Sequence, residues 1–171
     1  MRKSLCKSLI VSGLALGAIV IGQNASASSE DSLRWQSVIG IIQGNNIVGT
    51  GAGAVMGAPG PWSTLSGHAS VDFQRSKVDF NVRGLVLAAG NSIGTPGTVQ
   101  QVKGTLVCDT DGSASGTSVI VDTPLVELDE EGNAHFDGQL ALPAVCTSEP
   151  DIAFLIRTGS GRWLANGTVL R

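Results

Sequence analysis

The sequence predicts an all-β protein, an antiparallel β-sandwich or alternatively a partly closed β-barrel of about eight or nine strands, preceded by a signal-peptide helix. Three observations support this fold class. Apolar and polar residues alternate with a period of two in many segments after residue 28, where helical periodicity is almost absent. Most of the 23 glycines lie at bends between these segments. Helix-capping patterns are also scarce.

Residues 1–27 have the features of a secretory signal peptide. Basic residues at positions 2, 3 and 7 precede an uncharged apolar run over 9–21, and small residues follow at 25–27. The apolar run is shorter than the roughly 20 residues that a membrane span needs. We therefore favour cleavage between Ala27 and Ser28 over retention as a membrane anchor. Cys6 lies in the basic start and is not placed for lipid attachment. The mature chain is expected to be secreted or periplasmic, with no membrane span.

The predicted strands of the mature chain follow from its residue patterns. Continuous apolar runs over 38–42 and 152–156 are typical of strands covered on both faces. Segments 68–73 and 77–86 alternate and are joined by a short polar stretch, which predicts a hairpin. Its inward side chains are predicted to be those of Ala69, Val71, Phe73, Val78, Phe80 and Val82. Alternation also predicts strands over 101–108, 133–140 and 162–169, and glycine- or proline-containing bends lie at 44–46, 57–61, 94–97, 111–112 and 131–133.

Residues 28–171 are expected to form a single β-sandwich domain, because no linker-like stretch interrupts the strand spacing. Cleavage removes three basic residues and no acidic one, so the formal charge changes from −3 to −6. The remaining basic residues are scattered singly. An acidic chain without a basic cluster is not suited to bind nucleic acid.

Two cysteines, Cys108 and Cys146, remain after the signal peptide is removed. An even pair in an exported protein predicts one disulfide bond. This bond would close a loop of about 39 residues. By restricting the unfolded chain, it would stabilise the fold by about 4 kcal/mol. The alternatives are two buried thiols and a metal site, although a metal would need further ligands.

Both histidines of the mature chain are predicted to face outward on strands. His68 has Asp72 nearby on its strand face, and His135 has Asp137 two residues away. A carboxylate beside an imidazole can orient it as a catalytic base, but polar outward faces of antiparallel sheets have the same composition. The segment 112–116 has alanine where a nucleophile elbow needs serine. We therefore predict no catalytic residues.

An acidic segment begins at Asp109 and resembles the start of a calcium-binding loop. Asp109 and Asp111 alternate before Gly112, but Ile120 stands where the complete loop needs a bidentate glutamate. A looser calcium site formed by Asp109, Asp111 and Asp122 is the alternative to a turn with solvated carboxylates.

A glycine-rich segment over 49–54 has the appearance of a phosphate-binding loop. It lacks the lysine followed by serine or threonine that such a loop needs, and no helix is predicted after it. It is better interpreted as a glycine-rich strand or bulge. No cofactor is predicted.

The segment 62–84 resembles the opening hairpin of chordin-type secreted β-domains. The similarity lies in the strand 66–72, the turn after it, and the strand 78–83 that ends in Gly84-Leu85. The paired histidines that follow in that family are replaced here by the segment 88–92. Segments 83–87 and 103–108 are also similar to uncharacterised exported bacterial β-domain proteins. These resemblances support the expectation of a β-sandwich, and neither carries a catalytic residue over to this chain.

The expected function is that of an exported, non-enzymatic β-domain with a structural or binding role in the cell envelope or extracellular space. Its partner is not identifiable from the residues. One alternative is a small-ligand carrier whose sheet closes around an apolar cavity. The other is a secreted hydrolase that uses the His68/Asp72 or His135/Asp137 face.

Overall fold

The computed structural model describes residues 32–148 and 151–169, so the predicted signal peptide and cleavage site lie outside the described residues. Strands dominate this part of the chain, which confirms the all-β antiparallel prediction. The elements in chain order are β1 (Ser32–Gly40), β2 (Ile47–Val48), β3 (Val55–Met56), β4 (Trp62–Ser63), β5 (Ser66–Asp72), β6 (Lys77–Arg83), β7 (Val86–Leu87), β8 (Gln101–Cys108), β9 (Val119–Asp122), β10 (Val126–Glu127), β11 (Ala134–Gln139), α1 (Val145–Ser148), β12 (Ile152–Thr158) and β13 (Trp163–Val169).

Nine of the described strands form one continuous antiparallel sheet. Their order is β10-β8-β12-β13-β1-β5-β6-β11, and β9 pairs with β8 beside β10. The sheet curls until β10 and β11, which lie at opposite ends of this order, contact each other. The result is a half-barrel, the partly closed form of the predicted architecture. Two short antiparallel pairs, β2 with β3 and β4 with β7, lie outside this sheet. The described residues include no helix that is both long and apolar enough to cross a membrane.

The inside of the half-barrel is filled by aromatic rings. Phe154 of β12 lies centrally, with its ring centroid 5.5 Å from that of Trp35 and 5.8 Å from that of Phe80. All three side chains are buried. Gly104 provides room for them, because a Cβ there would lie 2.8 Å from the Phe80 ring. The strands β1, β6 and β12, which carry these rings, are therefore held together by ring packing as well as by the hydrogen bonds of the sheet.

The predicted alternation is confirmed on β5, β6 and β11, where inward residues are more buried than outward ones. On β8, alternation with Gly104, Leu106 and Cys108 predicts that Thr105 and Val107 face outward, and this prediction is wrong in that both are buried. The glycine-rich segment 49–53 covers Val107, since a Cβ on Gly49 would lie 3.0 Å from its side chain. A segment distant in sequence thus converts the outer side of β8 into a second buried surface.

The glycine-rich segment packs against the loop that connects β8 to β9. The backbone N–H of Thr50 donates a hydrogen bond to Ser118 Oγ at 2.8 Å, and the N–H of Gly53 donates to Thr117 Oγ1 at 3.3 Å. Gly53 lies against the carbonyl group of Ser118, where a Cβ has no room. Close backbone packing therefore explains the glycines of this segment.

We predict that Gly53→Ala lowers the free energy of unfolding by about 2 kcal/mol, because the new methyl group overlaps rigid backbone. Gly60→Ala is the matched control, since a Cβ there meets nothing within 4 Å. Urea unfolding of both variants measures the difference. Equal stabilities of the two variants would contradict this packing.

The sulfur atoms of Cys108 and Cys146 are within disulfide-bonding distance, as the sequence predicts, and their Cα atoms are 5.0 Å apart. Cys108 ends β8, and Cys146 lies in the short helix α1. Both are buried. The bridge therefore attaches the segment that precedes β12 to the end of β8.

Candidate functional site

The outward side chains of β1, β5, β6 and β11 form a polar surface, which we call the outer face. Strand register places His68 directly opposite Asn81, and Asn81 directly opposite His135. The two histidines thus lie on one row across three strands. Further members of the outer face are Arg34, Gln36, Ser66, Ser70, Asp72, Lys77, Asp79, Arg83, Asp137 and Gln139.

The structure does not form the predicted His68/Asp72 pair. His68 Nε2 lies 3.6 Å from Asp79 Oδ1 on the neighbouring strand. Asp72 instead accepts hydrogen bonds from the backbone N–H of Arg75 at 2.9 Å and from its guanidinium at 3.2 Å. Asp72 therefore stabilises the hairpin turn after β5, and Asp79 of the neighbouring strand is the carboxylate that lies near the His68 imidazole.

The predicted His135/Asp137 pair is also not formed. His135 Nδ1 lies 3.0 Å from the backbone carbonyl oxygen of Phe80. A carbonyl oxygen only accepts, so Nδ1 donates and the ring is oriented by the backbone. Asp137 accepts instead from Lys77 Nζ at 2.8 Å, and this hydrogen bond and charge raise the pKa of Lys77. The two histidines are therefore oriented by different groups.

An open groove of about 730 Å³ lies between the outer face and residues 127–133. Its lining includes His68, Asn81, Arg83, Glu127 and His135. The side chains of Asn81, Arg83 and Glu127 make no hydrogen bond within the described ranges 32–148 and 151–169. They are therefore available to a ligand.

Asn133 stiffens the wall of this groove. Its backbone N–H and its Nδ2 donate to the two carboxylate oxygens of Asp129 at 2.7 and 3.0 Å. The backbone hydrogen bond from Asn133 is the main cause of a lowered pKa at Asp129. Asn133 Oδ1 also accepts from the N–H of Gly84 at 3.3 Å, which connects the wall to the end of β6.

A cluster of three carboxylates lies elsewhere, at the end of β8. Ligand atoms of Asp109, Asp111 and Asp151 all lie within 4.8 Å of one another. Asp122, the third residue of the predicted calcium site, does not join them. Sequence reasoning missed Asp151, which reaches the cluster because Ile152 pairs with Cys108 when β12 adds to β8. The predicted disulfide was the available signal, since it brings the segment before β12 to Cys108.

Asp109 organises the loop that follows it. Its buried carboxylate accepts hydrogen bonds from the backbone N–H groups of Ala114 and Ser115, both at 3.2 Å. Asp151 Oδ2 similarly accepts from Thr110 Oγ1 at 3.0 Å and from the N–H of Asp111 at 3.1 Å. These carboxylates already have N–H and O–H partners, which is the arrangement of a loop-stabilising cluster. Calcium binding by Asp109 and Asp111 stays a prediction, but Asp122 is not placed to take part, and the Asp109 carboxylate is buried rather than solvated.

Comparison with protein-family models, curated proteins and solved structures finds no match to this chain. The chordin-type resemblance therefore stays a prediction. The segment that carries it, 62–84, contains the whole of β4, β5 and β6 and ends at Gly84.

Asp122 belongs to an ionic network on the outside of β8, β9 and β12. It accepts a hydrogen bond from Thr105 Oγ1 at 2.7 Å and pairs with Lys103 and with Arg157, the latter at 3.0 Å. Burial alone would raise the pKa of Asp122, but the hydrogen bonds and nearby cations together hold it below its ordinary value of 3.8. This carboxylate is therefore occupied by partners that stabilise its ionised form.

We predict that Asp122→Asn lowers the melting temperature at neutral pH, and that this loss disappears in acid. The folded-state pKa of Asp122 is lowered, so its ionised form stabilises the fold above 3.8 and that contribution is lost as the pH falls through the folded pKa. Thermal unfolding across acid pH tests this. Asp137→Asn is the control and should change the melting temperature little, because both partners of its ion pair are about half exposed. An Asp122→Asn effect that persists unchanged in strong acid would contradict the prediction.

Proposed function

We propose that this protein is an exported, non-enzymatic β-domain that acts in the cell envelope or extracellular space by binding a partner through its outer face. The observation that carries the proposal is the open groove on that face. Its polar side chains come from three adjacent strands and from residues 127–133. Asn81, Arg83 and Glu127 have no hydrogen-bonding partner in the described part of the chain.

The interior and the histidines favour binding at the surface over the two alternatives. A carrier needs space inside the sheet, but Trp35, Phe80 and Phe154 occupy the inside of this half-barrel. The hydrolase alternative used the pairs His68/Asp72 and His135/Asp137, and neither pair forms, because Asp72 and Asp137 pair with Arg75 and Lys77. Only His68 has a carboxylate neighbour in the described part of the chain, Asp79 at 3.6 Å.

The signal-peptide pattern and the cysteine pair support export. Disulfide bonds persist in oxidising compartments and are rare in the bacterial cytosol. Expression of residues 1–171 in a bacterium, followed by fractionation and N-terminal sequencing, tests this part of the proposal. We expect a periplasmic or extracellular product that begins at Ser28 and has no titratable thiol. A variant with both Ala25→Phe and Ala27→Phe is the control and should remain uncleaved. A wild-type product that retains Met1 in the cytosol would refute export.

Binding through the outer face is tested by nuclear magnetic resonance on ¹⁵N-labelled residues 28–171. The titrants are a panel of acidic, neutral and basic polysaccharides and peptides of defined composition. We expect at least one titrant to shift the amide signals of His68, Asn81, Arg83 and His135. Shifts confined to the opposite end of the sheet, around Asp109 and Ser118, would refute this surface as the binding face. Chemical turnover of a titrant would refute the non-enzymatic assignment.

A further inference from the structure

The groove on the outer face carries an excess of negative charge. Its described lining includes Glu127 and Asp129, and Arg83 is the one lysine or arginine among these residues. A cleft adjoins the groove where Asp129 and Glu130 lie beside residues 95–100, and the described lining of this cleft includes no basic side chain. Because Asp129 lines both depressions, they form one continuous acidic surface, which attracts cations.

The exposed carboxylates of this surface are not neutralised within the protein. Glu127, Glu130 and Glu131 are exposed, and none of them pairs with a lysine or arginine in the described ranges 32–148 and 151–169. A second cleft, further along β5 at Ser70, has the same sign, since three aspartates and only two basic residues line it. The outer face is therefore suited to a cationic partner rather than to an anionic one.

An exposed leucine lies at the edge of the groove. Leu65 directly precedes Ser66, which lines the groove, and it is 88% exposed. Its backbone N–H donates a hydrogen bond to the carbonyl oxygen of Arg83 at 2.9 Å. Its side chain lies over Gly84, where a Cβ would be 2.5 Å from Leu65 Cγ. Apolar surface is thus held in a fixed position beside the acidic surface.

The groove also carries hydrogen-bonding side chains that suit a polypeptide backbone. The Asn81 side chain both donates and accepts, whereas the Arg83 guanidinium only donates. Neither makes a hydrogen bond within the described part of the chain. A peptide group presents one N–H and one C=O, so Asn81 can bond to both and Arg83 can bond to carbonyl oxygens. A small cation without carbonyl groups would meet Arg83 only as a repulsive charge.

We propose that this groove binds a basic segment of a partner polypeptide. A lysine or arginine of the segment lies at Glu127, and an apolar side chain of the segment packs on Leu65. Its peptide groups bond to Asn81 and Arg83. This inference rests on the proposed function and names its partner class. An acidic segment is repelled by the carboxylates, and a polyamine would use neither Leu65 nor Arg83. Because the charges are exposed, binding weakens as the salt concentration rises.

Titration of ¹⁵N-labelled residues 28–171 with synthetic peptides, followed by nuclear magnetic resonance, tests the proposal. The probe is a short peptide of lysine and serine with one central leucine. One control peptide has glutamine in place of lysine, and the other has serine in place of leucine. We expect the probe to shift the amide signals of Leu65, Asn81, Arg83 and Glu127. The glutamine peptide should bind about tenfold more weakly, and the serine peptide about fivefold more weakly.

Variants of the protein test the same two contacts. The double variant Glu127→Gln and Glu130→Gln should bind the probe about tenfold more weakly, because two exposed carboxylates are lost. Leu65→Ser should bind it about fivefold more weakly and should no longer distinguish the leucine peptide from the serine peptide.

Two matched control variants remove similar groups that lie outside the proposed contacts. Asp137→Asn removes an outer-face carboxylate that is already paired with Lys77. Ile47→Ser removes an aliphatic side chain of β2 that is 60% exposed and does not line the groove. Each control should change the affinity for the probe less than about twofold.

Four results would overturn this inference. Equal binding of the glutamine peptide would remove the role of charge, and equal or tighter binding of spermine would replace the polypeptide by a small cation. Tighter binding of polyglutamate would reverse the charge of the partner. Failure of the probe to bind, while another titrant shifts the His68 and Asn81 signals, would refute the partner class alone. The proposed function fails only if no titrant of any class shifts the outer-face signals.

Discussion

Replacing both cysteines by alanine is expected to lower the free energy of unfolding by about 4 kcal/mol. The bridge between Cys108 and Cys146 closes a loop with a sequence separation of 38 residues. Without it, the unfolded chain regains the conformational freedom of that loop. The bridge also holds the segment before β12 beside β8, and Thr110 and Asp111 bond to Asp151 there. Urea unfolding of oxidised wild type and of the double variant measures the loss.

Wild-type protein treated with a reductant is the matched control, because it keeps both side chains and loses only the covalent bond. It should show most of the loss seen in the double variant. The smaller remaining difference reports the packing of the two buried sulfur atoms. If the oxidised and reduced wild-type proteins unfold at the same urea concentration, the bridge contributes no stability and the prediction is wrong.

Phe154→Ala is expected to lower the free energy of unfolding by about 4 kcal/mol. Phe154 is fully buried, and its ring contacts Trp35 of β1 and Phe80 of β6. Truncation therefore leaves a cavity where three distant strands meet. The surrounding rings are held by the curled sheet, which limits their collapse into the space. Chemical unfolding gives the magnitude, and circular dichroism reports whether the variant still folds.

Two further variants test whether the stability loss in Phe154→Ala comes from the central position of this ring or only from the loss of apolar surface. Phe154→Leu keeps most of the volume and should cost about 1 kcal/mol. Phe136→Ala removes a ring that is only partly buried, on the terminal strand β11, and should cost about 2 kcal/mol. Similar losses for Phe154→Ala and Phe136→Ala would show that the centre of the half-barrel is not the critical packing site.

Local alternation predicts the strands of this protein well, and long-range pairing explains what it does not predict. Val78, Phe80 and Val82 face inward as expected because their burial depends only on the two sides of one strand. Val107 is buried against expectation because segment 49–53 covers it. Nothing in the residues around Val107 indicates this cover. The single curled sheet likewise depends on strand order, which alternation does not specify.

The candidate site follows the same rule. The outward orientation of His68 and His135 follows from alternation, and both are exposed. Their partners depend on register, so Asp79 rather than Asp72 lies beside His68. The acidic cluster at Asp109 also gains Asp151 only through the pairing of β12 with β8. Alternation therefore predicts which face carries polar chemistry, and register determines which groups meet.

The incomplete closure of the half-barrel has a consequence for how copies of this protein behave at high local concentration. Among the described strands β11 ends the sheet, and an unpaired edge strand invites strand addition and fibrous aggregation. The edge strand β11 is six residues long and carries polar outward side chains at His135, Asp137 and Gln139. β10 also contacts it. A short, polar and partly shielded edge strand opposes the addition of strands from neighbouring molecules.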